Sequence, residues 1–137
     1  MDTRRAARFM PAAVAVLGGA LVLGALVERT DGRLYVFCHT HPEIDRVTWT
    51  ALALIAGALV ASLVGALVLA RTRPRTVLPG AACLAAVLLM LSGADATDAY
   101  GEELARAAAA TGRPDGGSCE YVVPTYTATP GAFFPFT

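Results

Sequence analysis

Three apolar stretches, with arginines gathered on one side of them only, constrain this chain more than any other feature. They run over residues 10–27, 51–70 and 77–94. The first reads PAAVAVLGGALVLGALV without a charge, and the second, ALALIAGALVASLVGALVLA, carries Ser62 as its one polar side chain. About 20 apolar residues in a helix match a hydrocarbon layer of about 30 Å. Inside that layer the backbone must satisfy its own hydrogen bonds, so the expected form is helical. The third stretch begins at Pro79, which suits a first helical turn, where the missing N–H has no partner to lose.

An N-terminal secretory signal is the main alternative for the first stretch. MDTRRAAR is a serviceable basic leader. The apolar run, however, exceeds a typical h-region, and no small-x-small cleavage site follows it. The sequence therefore reads as an uncleaved anchor.

Orientation follows the arginines near short loops. Arg4, Arg5 and Arg8 precede the first stretch, and Arg71, Arg73 and Arg75 separate the second from the third. The 28–50 loop balances Arg29, Arg33 and Arg46 against four acidic residues, and the tail after residue 94 is acidic. The expectation is a cytoplasmic N-terminus (1–9) and 71–76 loop, with the 28–50 loop and the 95–137 tail outside. The alanine-rich, lysine-free composition points to a GC-rich bacterial genome, hence a multi-pass protein of the bacterial plasma membrane.

Composition narrows the function. The 137 residues are 55% hydrophobic with no net formal charge. Neutrality argues against nucleic acid. Three spans leave about 80 residues outside the bilayer, near the lower limit for a core that folds unaided. No catalytic motif is present, no cofactor is implied, and the chain reads as a non-enzyme. The apolar centres of the spans hold no ionisable residue, which argues against a proton relay or a transporter acting alone.

The spans do carry small residues at helical spacing. Ala53, Gly57, Ala61 and Gly65 recur every four residues, Ala20 and Gly24 give a shorter version, and Ala81/Ala85 and Ala82/Ala86 do the same in the third span. Residues four apart share a face, and small faces let helices approach closely in lipid. Such stripes suit contact with other integral membrane subunits, or with a second copy of the chain.

Cys83 lies within the third span and reads as a small buried hydrophobe. Cys38 and Cys119 fall on the outer side, where disulfides persist, and are expected to pair. Leu34–Cys38 and Cys119–Val123 are β-branched and aromatic, bounded by glycine and proline, and read as two short strands lying side by side. A bridge between them would close a loop of about 80 residues, worth at most about 4–5 kcal/mol. Cys38, His39 and His41 also form a metal-ligand set on paper, since thiolate and imidazole bind zinc or copper. The spacing fits no standard pattern, however, and alternation would direct the two imidazoles away from the thiol. Two histidines beside a structural cystine is the preferred account.

Residues 98–111 form a helix candidate that either continues the third span or breaks at Gly101, with Glu102 and Glu103 near its start and Arg106 one turn on. The tail beyond Pro124 is proline-rich. Its Tyr126, Phe133, Phe134 and Phe136 have no evident core to enter and read as a docking surface for a partner.

The expected fold is an all-α membrane protein. It has three transmembrane helices and a small disulfide-linked outer cap that contains two short strands. The expected function is a non-catalytic accessory or assembly subunit of a larger bacterial membrane complex, respiratory or cell-envelope. The alternatives are an extracytoplasmic copper-handling or redox protein using Cys38, His39 and His41, and a self-assembling structural membrane protein.

Overall fold

The computed structural model describes residues 3–37, 41–72, 76–111 and 125–128. Helix α1 spans Thr3–Glu28, a single 3-10 turn follows at Arg29–Asp31, and strand β1 spans Arg33–Val36. Helix α2 runs Pro42–Thr72, helix α3 Leu78–Thr111, and strand β2 Thr125–Ala128. All three helices are long and apolar enough to cross a membrane.

The helices continue past the apolar stretches that predict them. Helix α2 starts at Pro42, whose fixed φ suits a first turn, and Glu43 and Asp45 in that turn complement the helix dipole. Helix α3 carries straight through Gly101 for 34 residues. That is a rod of about 50 Å, well beyond a hydrocarbon layer of about 30 Å. The outer ends of α2 and α3 thus stand clear of any bilayer that their apolar stretches span, and with β1 and β2 they build a cap at one end of the bundle.

The described residues form two cores. The span core is Val22 of α1, Ala51, Ile55 and Ala58 of α2, and Val87, Leu91 and Ala94 of α3. Deeper in the bundle, α1 crosses α2 where the Ser62 hydroxyl donates to the Val14 carbonyl at 3.1 Å. That contact satisfies the one polar side chain of the second apolar stretch. A Cβ on Gly18 would sit 2.9 Å from the Ser62 Cβ, so the crossing requires glycine there. The outward helix faces remain apolar: Phe9, Leu23, Leu63 and Leu89 are each more than half exposed, as a lipid-facing surface requires.

The cap core is Phe37, Ile44, Ala105, Tyr126 and Ala128. Strands β1 and β2 pair antiparallel with Arg33 opposite Ala128 and Tyr35 opposite Tyr126. Alternation then turns Tyr126 and Ala128 inward, while Thr125 and Thr127 face out.

Among the described residues β1 pairs with Thr125–Ala128, in the segment read as a docking tail; 119–123, the expected second strand, lies outside the described residues. Thr-Tyr-Thr-Ala between Pro124 and Pro130 is a short β-branched and aromatic alternation, and the flanking prolines obscured it.

Candidate functional site at the capped end

The capped end is organised by one face of α3. Asp98, Gly101, Glu102 and Ala105 recur at helical spacing on a single stripe, and each receives a different part of the cap. Asp98 is buried inside a helix, a position a carboxylate occupies only when paired. Its partner is Arg29, the first residue after α1. The side chains are 19% and 9% exposed, so this pair is largely out of water. It ties the end of α1 to α3.

One turn on, Glu102 has three partners: it accepts from the Tyr35 hydroxyl at 3.0 Å and from Arg106 at 2.8 Å, and it forms an ion pair with Arg33 at 3.5 Å. Two of the three come from β1, so this carboxylate anchors the ribbon to α3. Both arginines are mostly exposed, which makes these pairs weaker than the Arg29–Asp98 pair.

Gly101 lies between the two carboxylates and is buried. A Cβ there would collide with the Tyr126 hydroxyl and come within 2.7 Å of Val47. The missing side chain is thus the socket for the Tyr126 ring. The Tyr126 hydroxyl donates to the Asp98 carbonyl at a long 3.5 Å. Burial first, and then the nearby Asp98 charge, push the phenol up to about 12. Tyr126 is 5% exposed. The expectation that it lacks a core and belongs to a docking surface is therefore corrected: it is the central side chain of the cap. Phe133, Phe134 and Phe136 lie outside the described residues.

Beside this stripe is a cavity of about 300 Å³, bounded by Arg29, Phe37, His41, Asp45, Thr48 and the first three residues of β2. The His41 ring stands edge-on to Phe37, with centroids 5.3 Å apart, and the His41 carbonyl accepts from the Ile44 amide at the start of α2.

Cys38, His39 and Cys119, named for the disulfide and the alternative metal set, lie outside the described residues. Among the described residues no group of three His, Cys, Asp or Glu side chains stands close enough together to hold a metal ion. Cys83 is a free thiol, half-buried against Gly65.

The small-residue stripes behave differently from one another. On α2, Gly57 faces Met90 and Gly65 faces Cys83, so part of that stripe serves the α2–α3 contact. Gly57, Ala61 and Gly65 also form the floor of an open apolar groove between α2 and α3, walled by Val60, Val64 and Val68. Ala53 is exposed. On α1, Ala20 and Gly24 line a second groove against Leu84 and Leu88 of α3, and a Cβ on Gly24 would meet nothing. The glycine that admits α2 is Gly18, two residues before the Ala20–Gly24 stripe.

No protein-family model matches this chain, and no curated protein or solved structure shows significant similarity to it.

Proposed function

We propose that the chain is a non-catalytic accessory subunit of a larger bacterial plasma-membrane complex, which it joins through its helices. The observation that carries this reading is the groove between α2 and α3. Its floor is Gly57, Ala61 and Gly65, its walls are valines, and it opens outward along the spanning part of the bundle. In lipid, where apolar burial alone does not drive association, small floors that let another backbone approach are a main source of helix–helix affinity. The empty span centres support a scaffold over a conductor: no Asp, Glu, His, Lys or Arg lies within the apolar stretches.

In this reading the N-terminus and the 71–76 loop are cytoplasmic and the cap is extracytoplasmic, where Cys38 and Cys119 form a disulfide. The segment from 129 to 137, with Phe133, Phe134 and Phe136, adds a contact outside the bilayer.

The test is co-purification from native membranes in mild detergent, followed by native mass spectrometry. Stoichiometric foreign subunits are expected. Val64→Trp, which fills the groove from an exposed wall residue, is expected to release them while the chain stays folded. Deleting 129–137, which spares β2, should weaken the assembly. A chain recovered only as a monomer would refute the proposal, and one recovered only with copies of itself would favour the self-assembling alternative.

A further inference from the structure

The cavity at the capped end is placed and charged to hold a particular class of ligand. Its level in the membrane follows from its neighbours. Arg29 is the first residue past α1, Thr48 directly precedes Trp49, and Asp98 lies two residues before Tyr100. Trp49 is 72% exposed and Tyr100 58%. Exposed tryptophan and tyrosine at the ends of apolar helices mark the boundary where hydrocarbon gives way to headgroups. The cavity therefore opens at headgroup depth.

Its charges are arranged in opposition. The Arg29 guanidinium has five N–H donors, and the pair with Asp98 engages one of its nitrogens. Among the described residues the others have no partner, and the side chain borders the cavity. A mostly buried guanidinium with unspent donors facing a void favours an oxygen-rich anion, and phosphate fits its fork. Asp45 also borders the cavity. Among the described residues its carboxylate has no ion-pair partner.

Since Asp98 already balances Arg29, a simple anion would add to the Asp45 charge, and a simple cation would face the guanidinium. A zwitterion laid between them meets both. The apolar sides of Phe37 and Ile44 suit the short carbon link between its ends.

We propose that this cavity receives a phosphoethanolamine group, with its phosphate on Arg29 and its ammonium on Asp45. The group can come from the headgroup of phosphatidylethanolamine or from free phosphoethanolamine. This site is independent of whether the chain joins a larger complex.

The experiment is native mass spectrometry of the full chain in mild detergent, with phosphatidylethanolamine, phosphatidylcholine and phosphatidylglycerol of matched acyl chains added in equal amounts. Wild type is expected to retain one phosphatidylethanolamine in preference to the other two. Asp45→Asn alters an exposed carboxylate whose part in the fold is a first-turn charge on the α2 dipole, shared with Glu43. It is expected to reduce that preference about tenfold, the scale of one charge-assisted hydrogen bond.

Arg29→Gln should abolish lipid retention, but it also disturbs Asp98, so the Asp45 variant is the deciding one. Displacement of the bound lipid by free phosphoethanolamine would show that the soluble group shares the site. An Asp45-dependent adduct that resists such displacement would assign the site to the lipid. Equal retention of the three lipids, or an ethanolamine preference unchanged in Asp45→Asn, would overturn the proposal.

Discussion

The span bundle and the cap belong to one chain but are held together by different physics. In the bundle the contacts are small and apolar: alanine and glycine against valine and leucine, with the Ser62 hydroxyl of α2 returned to a carbonyl of α1. In the cap a handful of polar groups, Arg29, Asp98, Glu102, Tyr35 and Tyr126, fasten a four-residue ribbon onto α3. The bundle spreads its stability over many near-equivalent contacts, whereas the cap concentrates it in a few. Single substitutions should therefore affect the two regions very unequally.

The sharpest break is at Asp98. Asp98→Ala leaves the Arg29 guanidinium largely buried without its carboxylate, which costs about 3 kcal/mol. Hydrogen exchange at 33–36 and 125–128 should become fast while the spans stay protected. The double variant Arg29→Met/Asp98→Leu, which removes both charges, should recover most of that protection.

Gly101→Leu comes next. It fills the socket of the Tyr126 ring and overpacks the cap by about 2 kcal/mol, read as new protease cleavage near β2 with helix content unchanged. Gly18→Val crowds Ser62 and is expected to cost about 1.5 kcal/mol of bundle stability. Gly24→Val, six residues on, projects into open space and should stay within about 0.5 kcal/mol of wild type. Unfolding in detergent compares the two directly, and equal losses would show that α1 does not cross α2 at Gly18. Ser62→Ala should cost about 0.6 kcal/mol, the usual worth of one hydrogen bond within a membrane protein.

The smallest effect is on titration. The folded state raises the Tyr126 pKa, so it favours the protonated phenol. That preference leaves stability unaffected below the ordinary tyrosine range near 10 and is withdrawn as pH climbs towards about 12. The cap should weaken across that window. Ultraviolet titration should show a tyrosine step late in that window, and Tyr126→Phe should remove it.

The bundle was far more legible in the sequence than the cap. Apolar runs near 20 residues translate into spanning helices because the bilayer leaves the backbone few alternatives. The four-residue spacing of Gly57, Ala61 and Gly65 likewise placed a smooth face on α2. Which glycine makes the α1 crossing was not readable, because Gly18, Gly19 and Gly24 differ only in what stands opposite them. The cap depends on contacts distant in sequence. Arg29 and Asp98 lie 69 residues apart, and nothing local marks them as partners. The role of Gly101 is visible only once Tyr126 is seen to need its space. Thr125–Ala128 could have been found from its alternation, but a four-residue strand between prolines is a weak signal.

Helix α3 passes from the apolar bundle into the cap with no break at Gly101. It acts as a stiff shaft common to both regions. A neighbour that rolled its lower half within the bilayer would rotate Asp98, Gly101 and Glu102 together, swinging one carboxylate from Arg29, closing the tyrosine socket and loosening the ribbon in a single motion. Bundle and cap thereby share one continuous element, and a turn of α3 in either is a turn in both.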